Sequence, residues 1–334
     1  MKKFFQIQIL FVFLVCCFVL HSVVPGSASE LYKRSYERSI TSFDDKHVFD
    51  DYIPKTNVAT KTLDAVFKPL IGTLNVVNGN KSHFELIKSL ADKGSAQYQF
   101  ETGFMYEIGT EVPQNYVKAA EYYRKAANQF YEIGVNIESS RAQNNLGLLY
   151  LEGKGVPKDL SEAFKLLLLA ANCDYPKAQY NLAHMYFDGV LGITDETEAL
   201  KWYRKAANGN YIPAMFFIAS LYENGYKVSQ SPSEAFQWYR KAAELGYAPA
   251  QTIIGDMYYS GYGITKNISG AVKWYKKAAA WKYPEAQYKL AKMYYTGEGI
   301  KKKHPKEAIK LWKEAAKNGN TDSQNALKEI GVSW

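Results

Sequence analysis

The sequence predicts an all-α solenoid of antiparallel helix pairs, and three observations predict it. The chain of 334 residues matches itself at a shift of 36. Ala142, Ala178, Ala214, Ala250 and Ala286 form one column, and Tyr150, Tyr186, Tyr222, Tyr258 and Tyr294 form another. Within a unit the apolar residues follow the helical period. Ala199, Trp202, Tyr203, Ala206 and Ala207 make one stripe, with Lys201, Arg204 and Lys205 on the opposite side. Asp159, Asp195, Ser231 and Asn267, again 36 apart, are N-cap types standing ahead of that stripe. A helix pair repeated about six times buries its stripes only against neighbouring pairs, which defines a solenoid.

Taken from the N-terminus, residues 1–28 read as a secretory signal peptide. Lys2 and Lys3 precede an apolar run from Ile7 to Leu20, and Gly26, Ser27, Ala28 and Ser29 follow it. That run is shorter than the ~20 residues needed to span a bilayer. The expected product is periplasmic or secreted and has no membrane span after cleavage. A signal anchor is the alternative, and the sequons at Asn80 and Asn267 leave a eukaryotic secretory lumen open. Residues 29–80 show no repeat and read as a loosely ordered polar arm. The repeat region covers 81–334, beginning with "FELIKSLADKGSAQ" as a lone second helix. Units follow at about 96–141, 142–177, 178–213, 214–249, 250–285 and 286–322, with a terminal half unit at 323–334. The first unit carries extra residues at 128–141, placed between its second helix and the next unit.

Caps and turns support these boundaries. Glu162, Glu198 and Glu234 lie three residues after their caps, the capping-box spacing, and Pro232 takes a first helical position. Gly209 and Gly246 fall where a helix end favours a left-handed residue. Small residues at Gly147, Ala183, Ala219, Gly255 and Ala291 let neighbouring helices approach.

Stretches such as "AQYNLAHMYFDG", "EALKWYRKAANGNY" and "AQYKLAKMYYTGEGI" resemble Sel-one-like repeats, relatives of the tetratricopeptide repeat, over roughly 96–334. The resemblance implies a right-handed superhelix whose members usually mediate protein–protein contacts, and it does not imply catalysis. Family members that pair cysteines within each repeat are a different subgroup, because Cys173 is the one cysteine beyond the signal peptide. It has no intramolecular partner. Metal spacings of Cys and His are absent, and no cofactor is implied.

Two columns of outward positions on the first helices are the candidate binding face. One holds Leu148, His184, Ser220, Asp256 and Lys292; the other holds Asn144, Tyr180, Phe216, Thr252 and Tyr288. Structural columns repeat one residue type, whereas these vary, as ligand-facing and freely solvated positions both do. His184, Ser220 and Asp256 do not form a hydrolase triad, because packed helices lie ~8–10 Å apart and a triad needs hydrogen-bond contact. In the second helix of the unit from 142, Leu168 and Leu169 replace the usual basic pair. They mark an apolar contact patch, covered by the 128–141 insertion or the arm, or else open to a partner.

The net charge of +8 and pI near 9 raise nucleic acid as a partner. The aromatics beside "WYRKAA" belong to the buried stripe and cannot stack on bases, so nucleic acid is not expected. Weak contact with an anionic envelope surface is the milder reading, and "IKKKHPKE" at 300–307 reads as a solvated loop. The leading expectation is an exported scaffold binding a protein or peptide on its concave face. The alternative is an envelope factor that binds or modulates enzymes of the cell-wall polymer, with an enzyme third.

Overall fold

Why each segment becomes a helix is visible at its ends. The computed structural model describes residues 82–133, 137–192 and 194–334, the side chains of 130–133 excepted. The signal peptide and the 29–80 arm lie outside the described residues. Among those described there are fourteen helices and no strand. They are α1 His83–Asp92, α2 Ala96–Ile108, α3 Tyr116–Ile133, α4 Ile137–Glu152, α5 Leu160–Asn172, α6 Pro176–Phe187 and α7 Glu196–Asn208. The array continues with α8 Ile212–Asn224, α9 Pro232–Glu244, α10 Ala248–Ser260, α11 Ile268–Ala280, α12 Pro284–Thr296, α13 Pro305–Lys317 and α14 Thr321–Glu329. No helix of the described residues is long and apolar enough to cross a membrane.

The expected caps all form. Asp159, Asp195, Ser231 and Asn267 accept from the backbone N–H three residues on, at 2.9, 2.9, 3.3 and 2.9 Å. Glu162 and Glu198 instead reach Lys165 and Lys201. The reciprocal capping box is complete at Ser82 and Glu85, ahead of α1. Such a cap satisfies one of the amide groups a helix start leaves orphaned.

Gly209 corrects the expected helix ends. Its φ is −77°, and the left-handed residue is Asn210 at +63°. Asp174, Gly246, Lys282 and Gly319 occupy the same turn with φ of +55°, +91°, +58° and +86°. Gly209 is needed for space, since a Cβ there would meet Pro176 Cγ at 2.7 Å. Gly246 carries the positive φ itself, as expected.

Each helix packs against its chain neighbours. The first helices of successive units also touch directly at α2–α4, α4–α6 and α10–α12. Columns of alanine fill the seams: Ala178, Ala199, Ala206, Ala214, Ala235, Ala242 and Ala250 are all fully buried. Such small residues leave little void at native packing density. A further column was not apparent from sequence. Gln99, Gln179, Gln251 and Gln324 donate to the carbonyls of Ala91, Ala171, Ala243 and Ala316 at 3.0–3.2 Å. Each helix C-terminus thereby gains a donor from the next unit.

The extra residues of the first unit differ from expectation. They lengthen two helices, giving α3 18 residues and α4 16 where α5 to α13 have 12 or 13. Ser139 on the added turn of α4 donates to the Ala126 carbonyl at 2.9 Å, tying the pair together.

Candidate ligand-binding face

Three side chains meet repeatedly along the face of the first helices. One comes from a first helix, one from the second helix of that pair, and one from the next first helix. His184 on α6, Tyr203 on α7 and Phe217 on α8 are one such meeting. Asp256, Tyr275 and Lys289 occupy the same three positions 72 residues later, on α10, α11 and α12.

The earlier meeting is made of rings. His184 lies 5.2 Å from Tyr203 and 4.9 Å from Phe217, and Tyr203 and Phe217 are 4.5 Å apart. Tyr180 stands edge-on to His184 at 4.5 Å and reaches Tyr203, Tyr211 and Phe217. Phe187, itself buried, underlies Phe217 and Tyr226. Lys227 closes the rim, with its ammonium 4.3 Å over Phe187 and 3.2 Å from Glu196. Edge-to-face contacts of this kind add to apolar burial and hold the rings in place. Burial lowers the His184 imidazole to about 4, against an opposing pull from Asp188. The ring is therefore neutral near pH 7, although its side chain keeps 24% exposure. This is a half-open, uncharged aromatic shelf.

The later meeting is made of charge. Tyr275 donates to Asp256 at 2.7 Å, Lys289 contacts Asp256 at 2.9 Å, and Lys289 also pairs with Glu285 at 3.4 Å. Burial by itself lowers the Lys289 ammonium, but Asp256 and Glu285 outweigh it and hold the group above its ordinary range. Burial pushes the Tyr275 phenol up, and Asp256 adds to the effect. Burial also raises the Glu285 carboxyl, with Lys289 opposing. These groups spend their hydrogen-bonding capacity on one another.

The other units repeat the theme with different side chains. Tyr123 donates to Glu107 while Asn145 donates to Tyr123 at 3.0 Å; Asn181 reaches Asn144 at 2.8 Å. Tyr239 donates to Glu223 at 2.8 Å, and burial raises that carboxyl against the hydrogen bond.

The candidate residues therefore divide. Tyr180, His184, Phe216, Ser220, Asp256 and Tyr288 are half-buried on this face, and Lys292 is exposed. Asn144, at 0% exposure, and Thr252, at 3%, are buried rather than outward, as is Leu148. Their short polar groups are used locally: Asn144 is bonded to Asn145 and Asn181, and Thr252 donates to Ala248. Phe216 packs on Tyr239 and Tyr247. Ser220 donates to the Phe217 carbonyl at 2.8 Å, so His184, Ser220 and Asp256 are each engaged separately. Leu168 and Leu169 on α5 are half-buried. Among the described residues no group of three His, Cys, Asp or Glu is placed to hold a metal ion.

Two columns escaped the sequence reading. Asn145, Asn181, Phe217, Ile253 and Lys289 form one, and Tyr203, Tyr239 and Tyr275 supply the other. The first varies as freely as the chosen columns and lies one residue after one of them. The second repeats one residue type and so resembles pure seam, yet Tyr239 and Tyr275 donate to carboxylates of the first helices and Tyr203 packs beneath the shelf.

Comparison with known proteins agrees with this architecture. The Sel1 repeat model matches residues 96–129, 140–175, 176–211, 212–247, 248–280 and 284–320. The gap between the first two segments coincides with the lengthened α3–α4 pair. The chain is similar to a protective antigen present in uropathogenic Escherichia coli strains that displays an SLR fold. Identity is 28% over 76% of this chain, the TM-score is 0.52, and the chain spans 61% of that protein's length. It is also similar to a Sel1 repeat protein from Oxalobacter formigenes, 31% identical over 66% of this chain and 85% of that one, with a TM-score of 0.48. A third similarity is to cysteine rich protein B of Helicobacter pylori, 26% identical over 39% of this chain and 92% of that one, TM-score 0.31. No curated protein matches the chain.

Proposed function

Because the chain belongs to the Sel1 repeat family, we propose that it is an exported, non-catalytic scaffold. In this reading it holds a protein or peptide partner along the face of its first helices. The observation that carries the reading is the ring shelf of Tyr180, His184 and Phe217. It is half-open, rigidly supported from beneath by Tyr203 and Phe187, and uncharged at neutral pH. A shelf of that kind takes up a large apolar or aromatic side chain with little ordering cost. The charged meeting around Asp256 is satisfied internally and sets the polar surroundings. His184, Ser220 and Asp256 being engaged separately favours binding over chemistry.

Random-peptide display on the immobilised protein tests this reading. The expected peptides share an aromatic or large aliphatic anchor, and their affinity drops at least tenfold in Phe217→Ala. Lys292→Ala, at the exposed end of the face, leaves affinity within about twofold. Enriched peptides that bind Phe217→Ala as well as the parent would overturn the shelf as the site. Export is tested by expression of the full chain and mass measurement of the product: loss of about 28 residues supports the signal peptide, and an intact N-terminus in the cytoplasm contradicts it.

A further inference from the structure

Charge is distributed unevenly along the array. Residues 268–334 contain fourteen lysines, no arginine and six Asp or Glu, a net +8 equal to that of the whole chain. The units before them, 96–267, hold fifteen Lys or Arg and eighteen Asp or Glu, a net −3. Earlier second helices carry carboxylates that pair with part of their outward charge: Glu162 with Lys165, Glu198 with Lys201 and Glu244 with Arg240. In α11 the acidic first-turn position is Gly270, and the helix holds no carboxylate at all. Lys273, Lys276 and Lys277 are exposed there, without an ion pair among the described residues. Lys277 is held 4.0 Å over the Trp274 ring, which fixes a cation in place without cancelling its charge. Lys310 and Lys313 on α13 take the register places of Lys273 and Lys276 in the next unit.

A second observation lies on the same stripe. Trp281 follows Lys273 and Lys277 at four-residue steps, placing all three on one side of α11 and its C-terminal turn within ~12 Å. It is the most exposed large apolar residue described, at 62%, where the corresponding residues of earlier units are Cys173, Gly209 and Leu245. The next residue, Lys282, adds another cation in a turn with φ +58°.

We propose that the outer side of α11, continued by α13, is a docking surface for an anionic lipid bilayer, with Lys273, Lys276 and Lys277 facing the headgroups and Trp281 entering the interface. Lysines within about a Debye length of one another attract an anionic surface jointly and need no bidentate geometry. Tryptophan prefers the headgroup level, with its ring in the acyl boundary and its N–H wet. Nucleic acid fits less well, because Trp274 is covered by Lys277 and Tyr275 is buried, leaving no row of rings for stacking. This surface is separate from the ring shelf, and its test does not depend on a peptide.

The experiment is co-flotation of the full chain with vesicles of phosphatidylcholine alone or with 30% phosphatidylglycerol, at low and at 0.5 M salt. Affinity for the anionic vesicles is expected to exceed that for neutral ones at least tenfold at low salt, and the preference to collapse at high salt. Lys273→Glu/Lys276→Glu/Lys277→Glu removes the preference, and Trp281→Ala weakens anionic binding several-fold with unchanged thermal melting. The N-terminal apolar segment is identical in every variant, so differences between them report on this face. An unchanged anionic preference in the triple variant overturns the proposal. So does displacement by soluble polygalacturonate together with unaltered binding of Trp281→Ala, which assigns the face to a charged polymer.

Discussion

The meetings at His184 and at Asp256 share a backbone and a tyrosine and differ in their other two side chains. Both join a first-helix residue, a second-helix tyrosine and a residue of the next first helix. One produces a neutral ring shelf that remains open on one side, the other a closed set of charge-assisted hydrogen bonds. The seams explain part of the difference. Below Tyr275 stands Gly255, where a Cβ would lie 2.4 Å from Tyr275 Cε1; below Tyr203 the same position is Ala183. The glycine lets Tyr275 settle within reach of Asp256. The repeat therefore fixes where three side chains meet, and the residue types decide what the meeting can bind.

The largest effect should come from breaking the seam that both regions depend on. Ala243 is 1% exposed between packed helices, and Ala243→Asp buries a carboxylate without a partner. A loss of about 3–5 kcal/mol in urea unfolding is expected. Melting like the parent would refute the stacked-helix packing.

Acid should separate the two regions next. The His184 imidazole is lowered from 6.5 to about 4 in the folded chain, so the unfolded chain binds the extra proton between those values. Stability conferred by the neutral ring is complete above about pH 6.5 and is lost as pH falls toward 4, by about 3 kcal/mol at most. Unfolding measured across that window should show the loss in the parent and a flatter limb in His184→Phe. Equal slopes in both would remove His184 as the cause.

Gly255→Ala sharpens the comparison from the other side. The added methyl displaces the Tyr275 ring, costing about 1–3 kcal/mol by overpacking. It should leave peptide binding at the His184 shelf unchanged. The smallest effect is expected at Lys201→Ala, whose pair with Glu198 is solvent-exposed; a change within about 0.5 kcal/mol is predicted.

Much of the scaffold was legible from spacing alone, because seam positions tolerate one residue size and caps tolerate few types. Asp159, Asp195, Ser231 and Asn267 perform as their side chains dictate. The turn at Gly209 was misread because glycine serves two needs, positive φ and lack of a Cβ, and only the contact with Pro176 distinguishes them. The binding face was half legible. Its helix and His184 follow from the period, but a helical face is two residues wide, and Asn144 and Thr252 turn inward where Phe217 and Lys289 turn out. The role of Tyr203 lies in contacts between units, which no single unit's sequence contains.

The central claim is that side-chain identity at these meetings, not the repeat fold, creates the binding shelf. His184→Asp/Phe217→Lys installs the residues of the later meeting in the earlier one. Calorimetric titration of a display-selected, aromatic-anchored peptide into this variant tests the claim, with helicity and melting recorded alongside. The account predicts a folded protein whose affinity falls at least tenfold. Undiminished affinity in the folded variant would contradict it.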